Sequence, residues 1–263
     1  MEVSFLSIVG FCILFSRGID GNHFLGGTIT WRPLNQSATG SPVAIVITQT
    51  YLFNYAVMAC TNAMIMNNSF VPNYVGTLAS EKLECVRNCV SGAVGYPNIS
   101  VIPRCTDFSV PGVTTVGERS DTVYLQSGAD FSASFLSIYW RPLATVATGN
   151  WSISTRINVN PRSDNGLYNN APVATMMSPI NLPFNKTVAI HIPVADADGD
   201  TIRCRWATNT NGVDECAVVC PPGSLPPNTI IFPNCTIIIT GKNISDFYAI
   251  AVVVSFNTFV LEI

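Results

Sequence analysis

Asp196, Asp198 and Asp200 stand at every second position of VADADGDTIRCRW, residues 194–206. Carboxylates this close repel one another unless they are solvated or share a cation, and calcium prefers such clusters of oxygen ligands. The EF-hand pattern does not fit. Counted from Asp196, the glycine (Gly199) comes fourth instead of sixth, and the twelfth place holds Ala207 where a bidentate glutamate belongs. Two readings remain. Asp198-Gly199 is a hairpin signal, so the aspartates can be an acidic turn between two strands, which is the commoner outcome. Alternatively they form a calcium site of the extracellular type, taking further oxygens from Asp164, Asn165, Asn169 and Asn170 in the preceding segment.

Little else in the chain has the spacing of a reactive centre. His23 and His191 have no Ser, Cys or carboxylate at a recognisable motif distance, and no G-x-S-x-G, H-E-x-x-H or phosphate-loop pattern occurs. His23 reads as a strand-edge side chain and His191 as pointing away from a core. Trp31, Trp140, Trp151 and Trp206 could make a sugar-binding platform, but tryptophans at inward strand positions more often fill a core. No enzyme is expected, and calcium is the one cofactor that the residues suggest.

Modification chemistry is far better represented. The acceptor pattern N-x-[ST] occurs seven times, at Asn35, Asn67, Asn98, Asn150, Asn185, Asn234 and Asn243, mostly beside turn residues. Of nine cysteines, Cys12 lies in an apolar run from Phe5 to Phe15 that is too short to span a bilayer. That run sits where a secretory signal belongs, although Glu2 precedes it and no basic residue does. Residues 1–21 are therefore expected to be a signal peptide. The alternative is a buried first strand, with Cys12 a free core thiol. The remaining cysteines, Cys60, Cys85, Cys89, Cys105, Cys204, Cys216, Cys220 and Cys235, are even in number, as an oxidising compartment requires.

Charged residues make up 11% of the chain, against roughly 25% in an ordinary domain. Glycans would supply the missing surface polarity. With a formal net charge of −3 and no basic run, nucleic acid and anionic membranes are poor partners. The C-terminal FYAIAVVVSFNTFVLEI (247–263) contains Asn257 and Glu262 and lacks a basic flank, so it reads as a strand with trailing residues and not as a membrane anchor.

The elements that must carry these residues are strands. Val, Ile, Thr and Phe alternate with polar residues, and Gly and Pro punctuate often, which predicts an all-β chain. The clearest strands are GTITWRPL (27–34), VAIVITQTYLF (43–53), FSASFLSIYW (131–140) and WSISTRINV (151–159). SEKLECVRNC (80–89) has helical composition and Ser80 as an N-cap, which predicts one short helix. Asn, Gly and Pro gather around residues 160–172, so a boundary is expected there. The division is an N-terminal β-sandwich at 22–160, a linker at 161–171 and a second sandwich at 172–263, with four cysteines on each side.

Two short patterns recur. ECVRNCVSG (84–92) and ECAVVCPPG (215–223) share E-C-x-x-x-C-x-x-G, which suggests the same loop staple in each sandwich. WRPLNQSATG (31–40) and WRPLATVATG (140–149) share W-R-P-L-x-x-x-A-T-G. In the second sandwich the strand faces can be read directly. Val188, Ile190, Ile192 and Val194 share one face, as do Ile202, Cys204 and Trp206, then Cys235, Ile237 and Ile239, then Tyr248, Ile250, Val252 and Val254. Cys204 and Cys235 thus both point inward and are expected to pair across the core, leaving Cys216 and Cys220 to close a small loop.

VADADGD following YNNAPV resembles the aspartate motif and Asn-Pro linker of cadherin-type repeats. Together with HFLGGTITWRPLN, IRCRW and FYAIAVVV it is similar to modules of large invertebrate extracellular proteins, where a β module precedes Ig- or cadherin-like ones. The resemblance implies architecture only. The expectation is a secreted or cell-surface, disulfide-bonded glycoprotein module for adhesion or macromolecular recognition, its partner an extracellular protein or glycan. The alternative is a lectin-like carbohydrate-binding module.

Overall fold

Strands with one apolar face become stable when two sheets close on each other, and the N-terminal part of this chain does so with two four-stranded antiparallel sheets. The computed structural model describes residues 23–73, 81–138, 140–146, 149–175, 179–210 and 212–256. The expected signal peptide, Ser80 and residues 257–263 lie outside them. One sheet has the order β1-β2-β6-β5, with β1 Phe24–Pro33, β2 Val43–Asn54, β5 Arg104–Ser109 and β6 Thr114–Leu125. The other has the order β4-β3-β7-β8, with β3 Lys82–Arg87, β4 Ile99–Ser100, β7 Asp130–Ser137 and β8 Trp151–Asn158. All four strands expected in this half are present.

Strand β2 shows why these residues fold this way. Every odd-numbered residue from Val43 to Phe53 is buried, so period-two alternation places Ile45, Ile47, Tyr51 and Phe53 on one inner face. They meet Phe131, Ala133 and Phe135 of β7; Tyr51 and Phe135 make an edge contact with centroids 5.6 Å apart. Gln49 falls on the same inner face. Its Nε2 donates to Ser100 O at 3.0 Å and its Oε1 accepts from Tyr51 OH at 2.6 Å, so the buried amide is satisfied at both ends.

The helix is elsewhere than expected. Residues 82–87 form β3, because Leu83 is fully buried and the segment pairs with β4 and β7. Helical composition yields here to an in–out pattern that a neighbouring strand can use. The short helix α1 spans Asn62–Met66 instead, where Thr61 Oγ1 accepts from Met64 N at 3.3 Å as an N-cap.

The C-terminal part has its own smaller core of Ile192, Cys204, Cys235, Ile237 and Ile239. Around it lie β9 Val173–Ala174 with β11 Val194–Ala195, then β10 Thr187–His191, β13 Ile230–Ile231 and β14 Thr236–Thr240 in one sheet, and β12 Ile202–Trp206 with β15 Val252–Phe256 in another. Val188, Ile190, Val194, Ile202, Trp206, Ile250, Val252 and Val254 all pack against that core, on the faces expected, but only partly buried. The strand expected at 247–254 begins later, at Val252, and residues 247–251 are irregular.

Four disulfides join Cys60–Cys105, Cys85–Cys89, Cys204–Cys235 and Cys216–Cys220. Cys204 and Cys235 meet across the small core, and the two E-C-x-x-x-C repeats each close on themselves. The repeat's glycine matters in one copy. A Cβ on Gly92 would overlap Asp130 O, whereas one on Gly223 would make an ordinary 3.7 Å contact with Cys220 O.

Two outcomes follow from this packing. Opening Cys204–Cys235, which closes a loop of sequence separation 31, should destabilise the C-terminal part by about 3–4 kcal/mol, against about 2 kcal/mol for Cys216–Cys220. Double cysteine-to-alanine variants in guanidinium denaturation measure the difference. At the head of β3, burial pushes the Glu81 carboxyl up to about 7, against a hydrogen bond from Ser137 that lowers it, and its Oε2 is buried without a partner. A carboxyl raised on folding stabilises below its unfolded value and loses that contribution as pH rises through about 4.5 to 7. Glu81→Gln should therefore gain stability over wild type between pH 5 and 8, by about 1 kcal/mol after solvent screening of a partly exposed group. Denaturant midpoints at the two pH values would show no such divergence if Glu81 were as solvated as a surface carboxylate.

Candidate functional site

The three aspartates do not sit in a hairpin. Strand β11 before them pairs with β9, whereas β12 after them pairs with β15, so residues 196–201 cross from one sheet to another. Ile202 and Cys204 must face the core from the opposite sheet, and this dictates the crossing. The tight turn expected from Asp-Gly is nevertheless there. Gly199 has φ of 75°, a left-handed conformation that glycine adopts without strain. Asp196 Oδ1 braces the turn by accepting from Asp198 N at 2.9 Å and Asp200 N at 3.1 Å.

The side chains do not splay into solvent. The Asp198 and Asp200 side chains are only 11% and 18% exposed. Carboxylate oxygens of Asp196, Asp198 and Asp200 lie within 4.8 Å of one another. Asp198 accepts from Asn170 N at 2.6 Å, from Asn170 Nδ2 at 3.0 Å, and from Gln36 Nε2 at 2.6 Å. Asp200 is gripped by Arg162, whose Nη1 and Nη2 donate to its two oxygens at 2.6 and 2.8 Å. The same guanidinium donates through Nε and Nη2 to Asp164 at 3.1 and 3.0 Å, and through Nη1 to Asn169 Oδ1. All five N–H donors of Arg162 are therefore used. The paired carboxylates hold its pKa above the usual arginine value, and Arg162 in turn holds the exposed Asp164 carboxyl below the usual range.

This cluster joins the two halves of the protein. The expected linker, residues 161–171, is exposed at 163–166 but touches the N-terminal half at its end: Tyr168 is buried in the large core, Tyr168 N donates to Gln36 O at 2.9 Å, and Ala171 N donates to Trp31 O at 2.9 Å. Of the oxygens expected to help hold calcium, Asp164, Asn169 and Asn170 are at the cluster, while Asn165 Oδ1 accepts from Leu167 N at 2.9 Å. Arg162 and Gln36 were not foreseen. The signal for Arg162 was a single arginine inside a segment otherwise rich in Asn and Asp, in a chain poor in charge. A cation could be held by Asp196, Asp198 and Asp200, and Asp196 Oδ2 is buried without a hydrogen-bond partner. In this arrangement, however, a guanidinium occupies the side of the cluster that faces the linker.

The other candidates are placed as follows. None of the four tryptophans is exposed. Trp31 and Trp151 are buried in the large core, with Nε1 donating to Arg156 O at 2.7 Å and Ile138 O at 3.1 Å, and Trp206 packs on the small core. The open aromatic platform of a lectin is thus not formed by these residues. His23 is not at an exposed edge but buried beside Phe53, where burial lowers its pKa. His191 lies on the exposed side of β10, its Nδ1 3.3 Å from Thr236 Oγ1. Asp214, Cys216 and Cys220 also converge, but both sulfurs are spent in a disulfide. All seven acceptor asparagines, Asn35, Asn67, Asn98, Asn150, Asn185, Asn234 and Asn243, are exposed. Among the described residues no helix is long and apolar enough to cross a membrane. No protein-family model, curated protein or solved structure matches the chain.

Arg162→Gln should cost about 2–4 kcal/mol, because it removes a guanidinium from a largely buried set of carboxylates. With Arg162 in place, the melting temperature of the wild type is expected to be the same in millimolar calcium and in chelator. The variant should regain part of its loss when calcium is added. Thermal melts of both proteins check this, and a calcium-dependent rise in the wild type would mean that the carboxylates bind the ion alongside Arg162.

Proposed function

We propose that this chain is an extracellular glycoprotein module, secreted or displayed at a cell surface, that recognises another macromolecule. The observation that carries the reading is the exposure of all seven N-x-[ST] asparagines. Each lies outside the strands and is open to solvent, as an acceptor for a glycan must be. Four closed disulfides are compatible with the same compartment.

Glycans at those positions would leave one broad surface uncovered. The outer face of the β1-β2-β6-β5 sheet carries Thr48 and Thr50 on β2 opposite Ser120 and Glu118 on β6. Thr48 Oγ1 and Ser120 Oγ are 2.9 Å apart, and the exposed Tyr124 ends the row. None of the seven acceptor asparagines lies on these strands. A flat array of hydroxyl groups with one exposed aromatic suits a polar, hydrated protein or glycan contact.

Expression of the full chain in secretory eukaryotic cells should deliver it to the medium without titratable thiols. Peptide N-glycosidase should lower its apparent mass. Binding of the purified protein to cells or matrix should fall with Thr48→Arg/Ser120→Arg and persist after glycan removal. Retention in the cytosol, unglycosylated and with reactive cysteines, would sink the proposal.

A further inference from the structure

A cleft of about 1690 Å³ lies between the two halves of the protein. The partly buried Trp140 lies on its N-terminal side, and Val252 to Phe256 of β15 line the other. Its rim holds large apolar side chains that water reaches: Ile180 is 44% exposed, Phe184 59%, Ile244 81% and Phe247 38%. Exposed apolar side chains gathered along one cleft mark a surface built to be covered.

Arg141, from the second W-R-P-L repeat, lines the same cleft. Its guanidinium carbon lies 3.4 Å from the Phe247 ring centroid, and burial lowers its pKa. Among the described residues, four arginines are not exposed. Arg119 pairs with Asp121, Arg162 with Asp200, and Arg104 donates to Asn68 O. Arg141 alone has no acceptor, and its Nε is sealed from solvent without a partner. Nη1 and Nη2 are not sealed, so the planar edge that grips a carboxylate remains open. The first repeat offers a contrast: Arg32 is exposed on the surface.

We infer that the cleft binds an amphipathic carboxylate, its apolar chain lying along Phe184, Ile244 and the β15 wall and its acid group on the Nη edge of Arg141. The apolar rim and the unpaired guanidinium are separate features, and a single-chain acid satisfies both. A neutral apolar molecule would leave the guanidinium unpaired in a poorly hydrated site, and a polar anion would leave the rim in water. The inference does not depend on which macromolecule the outer sheet recognises.

The test is titration of the glycosylated full chain with oleate and, separately, with oleyl alcohol, read by tryptophan fluorescence and calorimetry. Oleate should bind in the micromolar range and the alcohol about tenfold or more weakly, a charge-assisted hydrogen-bonded pair being the difference. Arg141→Gln should bring oleate down to the alcohol's affinity and leave the alcohol unchanged. Phe247→Ala should weaken both. Absence of oleate binding at about 100 µM overturns the inference. So does equal affinity for acid and alcohol, or an Arg141→Gln variant that still prefers the acid. If Arg141→Gln is not secreted, the comparison of the two ligands on the wild type decides the matter.

Discussion

Arg162 is the charged contact that ties the segment after the N-terminal sandwich to the crossing at Asp200. A guanidinium offers five donors in one rigid plane, and here each of them has an acceptor: Asp200 and Asp164 from two directions, and Asn169 between them. No lysine could do the same with three donors on a point charge. Because Asp200 belongs to the crossing between sheets and Asp164 to the segment after the N-terminal sandwich, one side chain fixes how the second core follows the first. Gln36, reaching Asp198 from the loop after β1, adds a neutral tie to the same place. The joint thus has a polar, directional side at Arg162 and an apolar one where Leu143 packs with Val219 and Ala249.

That division of labour suits a chain with few charges. Arg119, Arg156 and Arg205 each meet a carboxylate nearby, as Arg162 does, so little charge is left to cover the surface. The sequons are spread over both halves in turns and loops.

The sequence disclosed most where one periodicity acted alone. Val43 to Phe53 is so rich in β-branched and aromatic residues that the strand could be read, and the inward Cys204 and Cys235 named their own bridge. It misled where local preference and long-range pairing disagree. Residues 82–87 have helical composition, but Leu83 has a core to enter and β7 lies alongside, and the strand prevails. Strand β6 drew no notice, since Gly117 breaks the pattern; a Cβ there would run into Val71 and Pro103, so the glycine serves close packing and not a turn. The cluster around the aspartates was half legible. Their spacing announced mutual repulsion, but the partner that relieves it lies 38 residues away in sequence from Asp200, and no local pattern encodes a contact of that range.

The two long disulfides also set how the molecule would behave under tension, as a module strung between a cell and its surroundings would experience. Pulled from its ends, an unfolding chain lengthens by about 3.4 Å for each residue released. The segments bridged by Cys60–Cys105 and Cys204–Cys235, with sequence separations of 45 and 31, cannot be released while the bonds hold. About 150 Å and about 100 Å of contour length are withheld in this way. The protein would therefore yield in short steps and stop well before full extension, and reduction of two covalent bonds would release the withheld length.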